Sequence, residues 1–307
     1  MKRKQDYPES RKRYFLPAMM FIGLILCFLA FPGKTAAGLI LDAELRLTYE
    51  DNVVGLLSDQ QKSGVSTGAG TTGGMVMPAA GMGGMGGGKN RYTGSSSGAS
   101  QSPGDFSAAL FAEAGGYRDA GMDSAIFAKG FASHTSYGTY TDLDATIGGV
   151  SAGVTTNFSN TVSGRAAILG KVKRFGDSAR DSDSYGGNLG LKEKLRPTFW
   201  LREFGEYEKN SADDPVFSYT GTTIGIGAGY AFTRKTFATL GYSYLVQKYD
   251  EPSGAEITTN TAFLSTEWSL MKDWAVGGEY DLQISKESTT GTSTTNNIFS
   301  LALRYSY

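Results

Sequence analysis

The chain has 307 residues, 19% of them charged and 40% hydrophobic, with 42 Gly and 17 each of Phe and Tyr. Gly at about double its usual frequency argues against a helical bundle, and this many aromatics exclude a disordered chain. The single Cys and single His exclude zinc fingers, Cys-ligated iron–sulfur clusters, haem-attachment motifs and any disulfide framework, so no cofactor is expected.

The first 14 residues set Lys2, Arg3, Lys4, Arg11, Lys12 and Arg13 against only Asp6 and Glu9, and a 17-residue apolar run follows from Phe15 to Phe31. Pro32-Gly33-Lys34-Thr35-Ala36-Ala37 then supplies a small-x-small exit. This is the pattern of a secretory signal peptide over residues 1–37, cleaved after Ala37; the alternative is an uncleaved anchor helix, since about 17 apolar residues just span a bilayer. Cys27 follows Leu26, not the small residue that a lipoprotein signal uses. Removing residues 1–37 takes away 7 basic and 2 acidic residues and leaves 22 and 28, a net charge near −6. Such a balance predicts no nucleic-acid partner. No second apolar run is long enough for a transmembrane helix.

From Gly38 onward the pattern has the period of two that marks strands. The first strand, 38–53, sets Leu39, Leu41, Ala43, Leu45, Leu47 and Tyr49 against Asp42, Glu44, Arg46, Thr48 and Glu50. Its end, Thr48-Tyr49-Glu50-Asp51-Asn52-Val53, resembles the opening of some β-barrel porins, though six residues carry no family name. Residues 63–104 follow, with 14 Gly in 42 positions and only Lys89 and Arg91 charged. This low-complexity stretch cannot bury a core and is expected as a loop between strands one and two, on the surface, folded into the lumen, or docking a partner. Met75, Met77, Met82 and Met85 lack the nearby His or Cys that would make them a copper site.

Eleven further strands are predicted at 105–117, 122–135, 139–156, 159–174, 184–195, 198–211, 216–232, 235–250, 255–270, 273–286 and 295–307. Alternate connections are short, as at Phe158-Ser159-Asn160, Arg196-Pro197, Thr233-Arg234-Lys235 and Met271-Lys272-Asp273; the others are longer and polar. Short turns on one side, long loops on the other and an even strand count predict an all-β fold, a transmembrane antiparallel up-and-down barrel of about 12 strands. Aromatics at strand ends (Phe158, Phe199, Trp200, Phe232, Trp268, Trp274) fit interface girdles. A secreted β-sandwich is the soluble alternative, but its strands run nearer 5–6 residues. In the last strand Phe299, Leu301, Leu303, Tyr305 and Tyr307 share one face. This run resembles the C-terminal assembly signal of Gram-negative outer-membrane proteins. The resemblance implies an outer-membrane location, contact with membrane lipid and lipopolysaccharide, and recognition by the barrel-assembly machinery; a homo-oligomer or another envelope partner is left open.

Catalytic chemistry is sparse. His134-Thr135-Ser136 puts His and Ser on one strand face, as in the His-x-Ser pair of outer-membrane phospholipases and lipid A deacylases. The orienting residue of those enzymes would fall at Gly148 here, leaving Asp142 or Asp144 as substitutes, and a surface His is the favoured reading. With apolar residues on lipid, the opposite faces line the lumen. Arg165, Lys171, Lys173, Lys192, Lys194 and Arg202 then form a basic arc, across from Glu267, Glu279, Asp281, Asp42 and Glu44, with Arg46, Arg304 and Glu206 breaking the pattern. The arrangement resembles the transverse charges of porin constrictions, and the charges are expected to be solvated. Porin-like passive diffusion of small polar or charged solutes is the expected function; a non-conducting structural or docking barrel, cross-linked inside by salt bridges, is the alternative, and a lipid hydrolase using His134 and Ser136 a more distant one.

Overall fold

The computed structural model describes residues 37–52, 104–121, 123–251, 255–288 and 291–307. The signal peptide, apart from Ala37, and the Gly-rich segment 63–104, apart from Gly104, lie outside the described residues. Twelve strands form: β1 Ala37–Glu50, β2 Asp105–Gly121, β3 Ser124–Tyr137, β4 Ala145–Asn157, β5 Val162–Phe175, β6 Ser182–Arg196, β7 Phe199–Ala212, β8 Tyr219–Ala231, β9 Thr236–Tyr249, β10 Glu256–Ser269, β11 Trp274–Glu287 and β12 Ser293–Ser306. Each pairs antiparallel with its neighbours in sequence, and β12 pairs with β1, so the sheet closes into a barrel. Closure leaves no strand edge to be solvated, which a sheet in lipid requires.

The period of two decides which side chains meet lipid. Outward positions carry Leu39, Phe106, Ile168, Leu189, Ile224, Leu240 and Leu301, each more than half exposed. A soluble monomer rarely leaves so much apolar surface in water; around a closed barrel it forms the belt that faces acyl chains. Near the short turns the exposed rings of Phe158, Phe232, Trp268, Trp274 and Tyr307 edge this belt. Trp200, expected there, instead turns inward: its ring lies against Gly229, its register partner on β8.

The connections follow turn chemistry. In two short turns a hydroxyl accepts from successive backbone amides: Ser159 Oγ from Thr161 and Val162 (3.2 and 3.0 Å), and Thr233 Oγ1 from Lys235 and Thr236 (3.1 and 3.0 Å). Three long loops carry a 3₁₀ turn, at Thr141–Leu143, Ser178–Arg180 and Pro215–Phe217. Asp177 and Asp214 cap the last two by accepting from the amides of Ala179 and Val216. Short turns lie on the periplasmic side of barrels of this kind and long loops outside.

The seam between β1 and β12 has the shortest ladder of the barrel, residues 42–50 against 298–306. The residues just past β1 extend it. Asp51 takes the Asn297 amide at 2.6 Å and its side-chain Nδ2 at 2.5 Å, while the Asp51 amide donates to the Asn297 carbonyl at 3.1 Å. The Asn52 amide reaches Asn296 Oδ1, and its Nδ2 donates to the Thr295 carbonyl. The Glu50-Asp51-Asn52 run thus clasps the barrel at its long-loop end.

Candidate functional site: the barrel interior

All of the charged residues expected in the lumen occupy inward positions. Opposite parity on each strand carries the exposed apolar belt, and inward residues meet partners on next-but-one strands, which only the concave face permits. Their surroundings differ from the expectation of solvated walls.

Lys171 and Lys173 on β5 are buried, with 5% and 0% of their surface exposed. Both bind Glu208 of β7: Lys171 Nζ at 2.8 Å and Lys173 Nζ more closely. Lys173 also donates to Asn210 Oδ1 at 3.0 Å and to the Tyr219 hydroxyl, which in turn donates to Glu208. Glu206 approaches Lys171 at 3.8 Å. These lysines are buried structure, because Ser184 and Gly186, the small inward residues of the intervening β6 in register with Lys171 and Glu208, let the β5 and β7 side chains converge.

On the opposite wall two arginines thread the acidic arc. Arg46 binds Glu44 at 2.6 Å and Glu279 at 2.8 Å; Arg304 binds Glu44 at 2.6 Å and Glu267 at 2.5 Å. Lys129 of β3 pairs with Glu113 of β2 at 2.8 Å. These pairs join adjacent or next-but-one strands, so they run along the wall rather than across the bore. The transverse separation of charge expected from the sequence is therefore largely cancelled where it is generated.

A basic cluster lies near the short turns. Lys192 lies over the Trp200 ring at 4.9 Å, Arg202 over Phe204 at 5.4 Å, and Arg165 over Phe127 at 4.6 Å, with Lys194 next to Lys192 on the inner face. Among the described residues Arg202 and Lys194 have no acidic partner.

Between this cluster and the Arg304 network lies a cavity of about 90 Å³. Arg202, Phe204, Phe237 and Phe263 line one side, Arg46, Arg304, Glu267, Glu279 and Asp281 the other. The sequence reading missed this feature, although its signal is present: Gly225, Gly227 and Gly229 alternate along β8, which strips one face of side chains. Parity turns that bare face inward. Phe204 and Trp200 lie on Gly225 and Gly229, and Phe263 on Gly241 of β9; a Cβ at any of the three would stand 2.1–2.3 Å from a ring atom. Aromatic rings covering cross-strand glycines recover packing that the glycines forfeit.

Burial also varies along the axis. Towards the long loops the inner wall is buried and mostly polar, as at Thr48, Glu50, Ser184, Asn210, Gln247, Thr259, Gln283 and Asn296. Towards the short turns the β7–β12 side is half-buried, as at Trp200, Arg202, Phe237, Thr239, Ser265 and Arg304, whereas Phe127, Thr155, Ser163 and Lys192 on β3–β6 are buried there. In the first stretch Ser182 Oγ, Ser184 Oγ, Gln247 Nε2 and Asn296 Nδ2 are buried polar atoms without a protein partner, the kind of group that ordered water satisfies.

His134 and Ser136 lie on the outward face of β3, exposed. His134 Nδ1 is 2.9 Å from Thr146 Oγ1, its register partner on β4. Ser136 Oγ donates to Asp144 at 3.3 Å. A catalytic relay needs the carboxylate on His and the His on Ser; here the carboxylate holds the Ser and the His is held by a Thr.

No protein-family model and no curated protein matches the chain. Among solved structures it is similar to the COG4313 outer membrane channel of Pseudomonas putida F1, with a TM-score of 0.58 at 9% identity, covering 91% of this chain and 97% of that one. It is also similar to the outer membrane channel DcaP of Acinetobacter baumannii (TM-score 0.41, 12% identity, 90% and 99% covered) and to the KdgM porin in complex with disordered oligogalacturonate (0.43, 12%, 66% and 93%). The first of these shares the fold, a closed antiparallel β-barrel.

Proposed function

We propose that the barrel is a porin-like channel of the Gram-negative outer membrane, passing small polar or charged solutes by passive diffusion. One observation carries this reading: charged and polar side chains line the inner wall at both ends of the barrel, and they include buried polar atoms without a protein partner, of the kind that ordered water satisfies. Barrels of about eight strands are filled by side chains and those of sixteen hold an aqueous channel; twelve strands leave room for a narrow hydrated path. Single-channel recording in planar bilayers tests it, with discrete conductance steps as the expected result and a silent, correctly assembled protein as the result against it.

A non-conducting barrel that docks an envelope partner is favoured by the burial of inner side chains towards the long loops, and the same recording separates the two. We read the chain as non-enzymatic, because the bonding at His134 and Ser136 runs in the wrong order for a relay; esterase activity lost on Ser136→Ala would reverse this. Lipid and lipopolysaccharide around the apolar belt, and assembly machinery reading the β12 motif, are the partners that the outer surface supports.

A further inference from the structure

The cavity near the short turns combines a cation, three rings and a bare floor. We propose that it is a binding subsite for a small aromatic monocarboxylate, of which benzoate is the simplest. The proposal rests on the channel reading for its role in transport, not for the binding itself.

Charge is the first argument. Of the three guanidinium groups in the cavity, Arg46 and Arg304 are each held by two carboxylates. Arg202 has no acidic partner among the described residues, and its neighbouring charge across the wall is another arginine, Arg165. Arg202 stands over the Phe204 ring at 5.4 Å, and its N–H groups meet no carboxylate among the described residues. A guanidinium is matched to a carboxylate, which accepts two parallel hydrogen bonds.

Shape is the second. Phe204, Phe237 and Phe263 come from three strands to one cavity, next to Arg202 rather than across from it. Gly227 and Gly277 leave the floor at backbone level; a Cβ at Gly227 would meet only ordinary contacts, the nearest at 3.4 Å. The volume of about 90 Å³ is several times what one water needs, roughly 10–15 Å³, but below the roughly 150 Å³ of a cavity that encloses benzene, so a single ring would sit partly in the cavity and partly in the bore, and a sugar chain would not fit. A planar ring is held by offset or edge contacts with the phenylalanines while its carboxylate reaches Arg202.

The far wall sets the charge of the ligand. Three glutamates, Glu44, Glu267 and Glu279, share the two guanidinium groups of Arg46 and Arg304, which leaves an excess of carboxylate on that side. A second carboxylate on the ligand would face it, so a monoanion fits better than a dianion. Acetate offers the charge without the ring, and benzamide the ring without the charge.

Saturation-transfer NMR on the full-length mature protein in detergent, with benzoate, benzamide and acetate as probes, tests the site. Benzoate is expected to bind at least about tenfold more tightly than either analogue. Arg202→Gln should weaken benzoate by about tenfold or more, the scale of one charge-assisted hydrogen bond, and leave benzamide unchanged. Phe263→Ala should weaken both aromatics. Benzoate binding no tighter than acetate, or unchanged by Arg202→Gln in a barrel that still shifts on heating, overturns the proposal. If Arg202→Gln does not assemble, Arg202→Lys, which keeps the charge and loses the fork, takes its place, and unchanged binding in it and in Phe263→Ala is the overturning result. Bilayer recording separates this proposal from the channel reading: benzoate binding without conductance removes the channel and keeps the subsite, whereas conductance without benzoate binding does the reverse.

Discussion

Glu208 sits between Lys171 and Lys173 with 2% of its surface exposed, so removing one partner strands a charge away from water. Truncating one member of a buried pair costs about 3–5 kcal/mol, far above the value of about 0–1 kcal/mol for an exposed pair. Lys173→Gln is therefore expected to lower the unfolding temperature of the barrel markedly, and Glu208→Gln to do so as well, by leaving two ammonium groups side by side. Lys194→Gln, on the half-buried wall, should leave it unchanged. Thermal unfolding in detergent by circular dichroism checks this, and equal midpoints for Lys173→Gln and Lys194→Gln would count against the burial argument. A second residue-scale test concerns the clasp. Asp51→Ala removes an acceptor that takes two hydrogen bonds from Asn297, about 1–3 kcal/mol, at the shortest ladder of the barrel. The temperature at which its band shifts on a denaturing gel should fall, whereas Asp250→Ala, which removes a surface partner of Lys209, should not move it.

β8 shows what a single element contributes. Its sequence Thr-Ile-Gly-Ile-Gly-Ala-Gly, residues 223–229, gives lipid two isoleucines and gives the lumen almost nothing. The two kinds of inward glycine predict different outcomes. At Gly229 a Cβ would stand 2.1 Å from Trp200, so Gly229→Ala must move that ring, the one that lies under Lys192. At Gly227 there is room, so Gly227→Leu should assemble, fill the cavity and lower single-channel conductance. Equal conductance in Gly227→Leu would show that ions bypass the cavity. The strands themselves were legible because lipid on one side and polar groups on the other impose alternation over 13–17 residues, and all twelve overlap the expected segments, although β4 begins at Ala145 rather than at 139 because Thr141–Leu143 forms a 3₁₀ turn. Inward or outward was legible for the same reason, since a slip of one residue would flip a whole strand. The partners were not. That Lys171 meets Glu208 depends on β5 and β7 converging over the glycine-bearing β6, and sequence parity carries no information about next-but-one strands. Inward was read as wet, and for these lysines it is buried.

For the whole molecule the question is which charges the bore presents once the pairs are discounted. Glu206 and Glu208 lie against the Lys171–Lys173 pair, Arg46 and Arg304 are shared among Glu44, Glu267 and Glu279, and Arg165, Lys192, Lys194 and Arg202 gather near the short turns. That cluster, rather than the full basic arc, should set ion preference. Replacing Lys192, which is 4% exposed, and half-buried Lys194 together by Gln removes two positive charges from the inner wall near the short turns, and the reversal potential in a salt gradient should move towards cation selectivity. The Lys171→Gln, Lys173→Gln, Glu208→Gln triple variant removes a network rather than a wall charge and should move it less. Screening supplies an internal control. The Debye length falls from about 10 Å at 0.1 M salt to about 3 Å at 1 M, so the shift in the Lys192/Lys194 variant should shrink as salt rises if those charges act through solution in the bore. A shift of equal size in both variants would mean that the buried network faces the ion path after all. No shift in either, in barrels that conduct, would place the ion path away from β5–β7.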